Sequence, residues 1–175
     1  MPEHRDGTPA VFRELESFLW HDFDDGLAAW LAWLRRRNLG PAGAAASASF
    51  PDAMRLHTAL RTLQAANTDP QGGGCDEVTA HQALNRLIGR LKVRPFVETG
   101  GGVRLTSPDA SDPVGPLLIE ALETMCLGLW QRFKLCREPT CRASFYDTSK
   151  ASRKIWCEML TCGSQNKMRR YRARS

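Results

Sequence analysis

The chain contains no apolar run approaching the roughly 18 residues that a membrane-spanning helix requires. Its first ten residues, MPEHRDGTPA, hold no apolar segment of the kind found in a secretory leader, which sets the expectation of a cytoplasmic protein. Histidine is sparse. His4, His21, His57 and His81 are scattered, and none is spaced with an acid or a cysteine as a ligand or catalytic pair would be. His21 and Asp22 are adjacent, but neighbours on a strand point to opposite faces. The glycine runs Gly72-Gly73-Gly74 and Gly100-Gly101-Gly102 lack the lysine and the strand–turn–helix setting of a phosphate-binding loop, and read as turns. There is no internal repeat and no long low-complexity tract. No catalytic constellation emerges, and the expectation is that the protein is not an enzyme. Acidic residues are scarce at one end only. Residues 131–175 carry 12 Lys/Arg against Glu138, Asp147 and Glu158, a net of +9, whereas residues 1–130 carry a net of −4. An acidic body with a strongly basic end implies a polyanionic partner for that end alone.

What is present is a set of four cysteines: Cys136, Cys141, Cys157 and Cys162 form two C-x4-C pairs separated by 15 residues. In a reducing compartment such spacing favours a metal over disulfides. Four soft ligands suit one tetrahedral Zn2+ in a closed structural site with no open coordination position. The surrounding 45 residues hold few large apolar side chains, so zinc binding would supply folding free energy. Phe145 and Trp156 are candidates to pack around the metal. Pro139 suits a tight knuckle, Asp147-Thr148-Ser149 a side-chain-capped turn, and Gly163 a sharp bend after the last ligand. Ser164 is a candidate N-cap for a terminal helix over about 165–173. Of the other two cysteines, Cys126 reads as core. Cys75 reads as a loop residue with no neighbouring cation to activate it.

The rest of the chain reads as mainly helical. Helices are expected over 24–38 (capped by Asp24 or Asp25 and ended by Asn38-Leu39-Gly40-Pro41), 51–66 and 76–92. A fourth is expected from about Pro116 to Phe133, leading directly into Cys136. The stretch 41–49 reads as a loop, and 93–106 as a short hairpin with Pro95 at its edge. Val78, Leu84, Leu87, Ile88 and Leu91 supply the apolar stripe of the third helix. Trp20, Trp30, Trp33 and Trp130 would fill a core or a homodimer interface. The fold class is therefore α+β: a mainly helical body over 1–130, and over 131–175 a four-cysteine zinc module ending in a basic helix.

The cysteine-rich segment resembles the CGNR zinc finger, a C-terminal module of bacterial transcription regulators. The residues that carry the resemblance are the turn Phe145-Tyr146-Asp147-Thr148-Ser149, the approach Arg153-Lys154-Ile155-Trp156-Cys157, and the end Cys162-Gly163-Ser164-Gln165 with its Arg-rich tail. Ser164 and Gln165 stand where the family signature has Asn and Arg. Residues 24–130 resemble, more loosely, the ABATE domain that precedes such fingers. That domain is an α/β region associated with sensing a stress or a ligand. Its early Phe-x-Asn-Thr strand has no counterpart, and Phe18 to Phe23 occupies that place. The resemblance implies one structural zinc held by the four cysteines, and double-stranded DNA as the partner. The cations positioned for phosphate are Arg153, Lys154, Lys167, Arg169, Arg170, Arg172 and Arg174, with Gln165 able to bond a base edge or a phosphate. Two alternatives stay open. One is a zinc-stabilised protein–protein interaction module. The other is an RNA binder in which Tyr146 and Tyr171 stack on unpaired bases.

Overall fold

The computed structural model describes residues 12–39, 44–70, 74–109 and 111–173. Seven helices, two small antiparallel sheets and two short helical turns are found among them, which makes the fold α+β. The elements are α1 (Arg13–Trp20), α2 (Leu27–Arg37), α3 (Ala44–Ala48), α4 (Phe50–Thr68), α5 (Gly74–Arg90), β1 (Arg94–Val97), β2 (Val103–Thr106) and α6 (Val114–Cys126). A 3-10 turn (Trp130–Arg132) leads to β3 (Phe133–Leu135) and β4 (Ser144–Tyr146). A π-turn (Met159–Gly163) then runs into α7 (Ser164–Arg172). No described helix is long and apolar enough to cross a membrane.

Helix α4 is the organising rod. Pro51 sits in its first turn, where a missing N–H costs nothing, and Leu56, Leu60 and Leu63 form a buried stripe. It packs against α5, α1, α6 and β3. Leu84, Leu87 and Leu91 of α5 are buried as the stripe requires, but Val78 is exposed because, two residues before buried Ala80, it lies on the opposite face of the helix. An aromatic cluster fills the body. Phe18 and Phe23 meet Trp30 and Trp33, which stack with centroids 5.5 Å apart. Both indoles are satisfied: Trp30 Nε1 donates to the Ala46 carbonyl (3.0 Å) and Trp33 Nε1 to Ser17 Oγ (3.2 Å). The His57 ring makes T-shaped contacts with Phe18 and Phe23, with centroids 5.2 Å apart in both. Burial there, with Arg61 adding repulsion, lowers its pKa to about 4.

Several expectations need correction. The stretch Phe18 to Phe23, which occupies the place of the family's strand, forms none: Phe18 to Trp20 are the end of α1, where Leu15, Phe18 and Leu19 recur at helical spacing and all bury. The small-residue stretch contains α3, held by burial of Ala46 and by the Trp30 bond to its carbonyl. Helix α2 is capped by neither aspartate. Its N-cap is Gly26 at φ 60°, while Asp22 Oδ1 accepts the Asp24 N–H instead. Its other end stops as expected, with Asn38 in the left-handed region. Helix α6 ends at Cys126, not Phe133, because Gly128 at φ 68° turns the chain and leaves Cys126 exposed instead of in the core. Cys75 lies within α5 instead of a loop. The hairpin forms in the expected place, with Pro95 opposite Leu105 in a ribbon that has two strands among the described residues, and Gly101 takes φ 81° in its turn.

Candidate metal centre

The cysteines are delivered by three local devices. The first C-x4-C pair is a knuckle leaving β3. Cys136 N donates to the Ala143 carbonyl (2.8 Å), and the Glu138 carbonyl accepts from the N–H groups of Cys141 (2.9 Å) and Arg142 (3.1 Å). The β3–β4 pair, with Lys134 opposite Phe145, brings the chain back beneath it. The π-turn carries Cys162 round to Cys157, with Cys162 N bonded to the Glu158 carbonyl (3.1 Å). The four Sγ atoms lie within 4.8 Å of one another.

These distances fit a zinc site. Zn–S bonds of ~2.3 Å in a tetrahedron put sulfurs ~3.8 Å apart. Cys141 and Cys157 Sγ are 3.6 Å apart, and Cys157 and Cys162 Sγ 3.7 Å. A disulfide would need ~2.05 Å. Cys136, Cys157 and Cys162 are buried and Cys141 is half-buried. Phe145 and Trp156 pack in the same cluster, as expected, and this second core is distinct from that of the body. Burial pushes the Cys136 and Cys162 thiols up. A doubly charged ion is what would make such sulfurs thiolates, and the Cys157 N–H, 3.5 Å from Cys136 Sγ, favours the ionised form. The four cysteines can thus hold one zinc ion in a closed site that stabilises the fold.

Around the metal the structure adds what spacing alone did not reveal. Asp147 is fully buried and bonds the Lys134 ammonium (2.8 Å), the Ser149 N–H (2.9 Å) and hydroxyl (2.6 Å), and the Lys154 N–H (2.8 Å). Lys134 in turn donates to the carbonyls of Ser152 (2.6 Å) and Lys154 (3.2 Å). The expected Asp-Thr-Ser turn is therefore the outer part of a buried ionic hub that shapes the whole 147–154 segment. Gly163 does not bend the chain. Its φ of −63° is helical, and its role is clearance, because a β-carbon there would press on Met159 and on the Trp156 ring. Ser164 does not cap α7; it is the first helical residue, and its Oγ bonds the Met159 carbonyl (3.3 Å).

The module is docked on the body by a polar ladder along α4. Arg61 donates to the carbonyls of Leu19 and Arg142 (both 2.9 Å), and Gln64 Nε2 to Ser144 Oγ (2.6 Å). Asn67 Nδ2 donates to the carbonyls of Trp130 and Phe133 (both 2.9 Å). Thr68 Oγ1 both donates to the Leu135 carbonyl (2.9 Å) and accepts its N–H (3.0 Å). Their 3–4 spacing on the helix was the available signal, a polar stripe beside the leucines. Next to this ladder lies an open cleft of about 910 Å3, lined by His21, Asp22, His57, Arg61, Cys141 and Arg142 among others.

Of the candidate nucleic-acid residues, Arg153, Lys154, Gln165, Lys167, Arg169 and Arg172 are exposed. Lys154 Nζ lies over the Phe145 ring, 5.9 Å from its centroid. Arg169 is engaged with the Glu138 carboxylate. The side chain of Arg170, and Arg174 altogether, lie outside the described residues. Residues 132–175 match the family model of the CGNR zinc finger. No curated protein matches the chain.

Proposed function

We propose that the zinc module binds double-stranded DNA and that the protein acts as a bacterial transcription regulator, with the helical body as the candidate sensing part. The observation that carries this reading is the state of the cations. Arg153, Lys154, Lys167 and Arg172 are exposed, and among the described residues none of them is paired with an acid. They sit on a module whose net charge is +9. A metal-braced scaffold holding unpaired cations suits phosphate contacts, which position a protein on a duplex without reading its sequence. If all four meet phosphates, log affinity should fall with log salt at a slope of about −3.6. Titration of fluorescent duplex with zinc-loaded full-length protein at several salt concentrations tests this. Binding of single strands in preference to duplex would favour RNA instead.

One observation favours a second reading, docking of a protein partner. Leu160 (83% exposed) and Met168 (54%) line a groove of about 550 Å3 with Gln165 and Arg172. Absence of duplex binding even at low salt would move the assignment to that groove.

A further inference from the structure

The basic residues of α7 do not have equivalent surroundings. Arg169 Nη2 bonds the Glu138 carboxylate, whose side chain is 1% exposed while that of Arg169 is 46% exposed. Glu138 lies between the first two ligands, in the loop whose shape is set by the carbonyl bonds described above. Its other carboxylate oxygen accepts from Thr140 Oγ1 (3.1 Å). The carboxylate is thus a fixed post on the zinc knuckle. Helix α7, by contrast, has nine residues, packs chiefly against the π-turn that precedes it, and exposes Gln165, Lys167, Met168 and Tyr171. A helix that short and that exposed is not stable by itself in water and needs a tertiary anchor.

We propose that Glu138 and Arg169 form a clasp that fixes α7 on the zinc knuckle, so that Arg169 is a positioning residue while Lys167 is free to contact phosphate. The assignment of Lys167 rests on the DNA-binding reading; the clasp does not. Two residues apart on a helix of 3.6 per turn, the side chains of Lys167 and Arg169 leave the axis about 160° apart. When Arg169 faces the knuckle, Lys167 faces away from it. A charge-assisted bond to a desolvated carboxylate is stronger than a neutral one, which suits this contact to help hold the helix.

Hydrogen exchange on the zinc-loaded full-length protein tests the clasp. Arg169→Gln, at an exposed position, should speed exchange of the α7 amides about tenfold while one zinc is retained. Glu138→Gln should do the same, and the swap Glu138→Arg with Arg169→Glu should bring exchange back toward wild type. Wild-type α7 exchange in zinc-loaded Arg169→Gln would overturn the clasp. On duplex DNA, Lys167→Gln should flatten the salt slope by about 0.9 with α7 exchange unchanged. Arg169→Gln should weaken binding at an unchanged slope. A flattened slope in Arg169→Gln with normal exchange would make Arg169 a phosphate contact and overturn the proposal. If the wild type binds no duplex, the DNA reading and the role given to Lys167 fall, and the exchange comparison still decides the clasp.

Discussion

Replacing Asp147 by Asn should loosen the zinc module, although the side chain keeps its shape. The side chains of Asp147 and Lys134 are 0% and 4% exposed, so neither charge has recourse to water. Asn keeps the shape and one acceptor oxygen but leaves the Lys134 ammonium buried without its anion. Breaking a buried pair from one side costs about 3–5 kcal/mol. The lower figure corresponds to roughly a hundredfold more frequent opening of the 147–154 segment. The assay is zinc release to a chromogenic chelator, which samples the open state, together with exchange of the amides of Ser149 and Lys154. Both bond Asp147 in the native protein. A release rate within threefold of wild type would refute the reasoning. Acid offers a second reading of the same group. Burial alone would push the Asp147 carboxyl up, but bonds from Lys134, Ser149 and Lys154 outweigh it and bring its pKa from 3.8 to about 2. A depressed carboxyl stabilises the fold above its unfolded pKa, and that stabilisation is lost as pH falls from about 4 toward 2. The amount is about 2 kcal/mol. The zinc thiolates protonate in acid as well, so the quantity to compare is the difference between wild type and Asp147→Asn, which should shrink over that interval.

Three further outcomes are expected. Chelation of the metal, or Cys157→Ser, should melt the cysteine cluster and α7 while the far-UV helical signal of the body persists, because the two cores are separate; loss of both in one transition would contradict this. Native protein should carry one zinc per chain by elemental analysis. His57, held neutral by burial, should titrate near 4 by NMR instead of 6.5. Because its folded pKa is lowered, its contribution is intact above pH 6.5 and falls away toward pH 4. The loss amounts to about 3 kcal/mol, measurable as a flatter stability–pH curve in His57→Phe. A midpoint at 6.5 would refute the burial argument.

Where the physics is local, the residues were sufficient. Ligand number and spacing identified the metal and its four cysteines, because a tetrahedral thiolate site needs only two short loops brought together. The 3–4 repeats placed α2, α4 and α5, and Asn38 marked the end of α2, because capping is decided within one turn. Gly128 carried a legible stop signal for α6 that the apolar run to Phe133 concealed. The leucine stripe of α4 was readable as core, whereas Arg61, Gln64, Asn67 and Thr68 beside it needed their partners in view.

What only the tertiary structure decided is which charges are spent inside and which are left outside. Arg169 and Lys167 are indistinguishable as basic residues of one helix, yet the first meets a carboxylate 31 positions away and the second meets none among the described residues. Lys134 and Asp147 likewise look like surface residues of a basic module, and are instead its buried hub. The sequence alone determined that this protein holds a four-cysteine zinc site with a basic end. The fold determined the orientation of that end and its available cations, because an ion pair depends on where two distant segments meet, and no local pattern encodes that meeting.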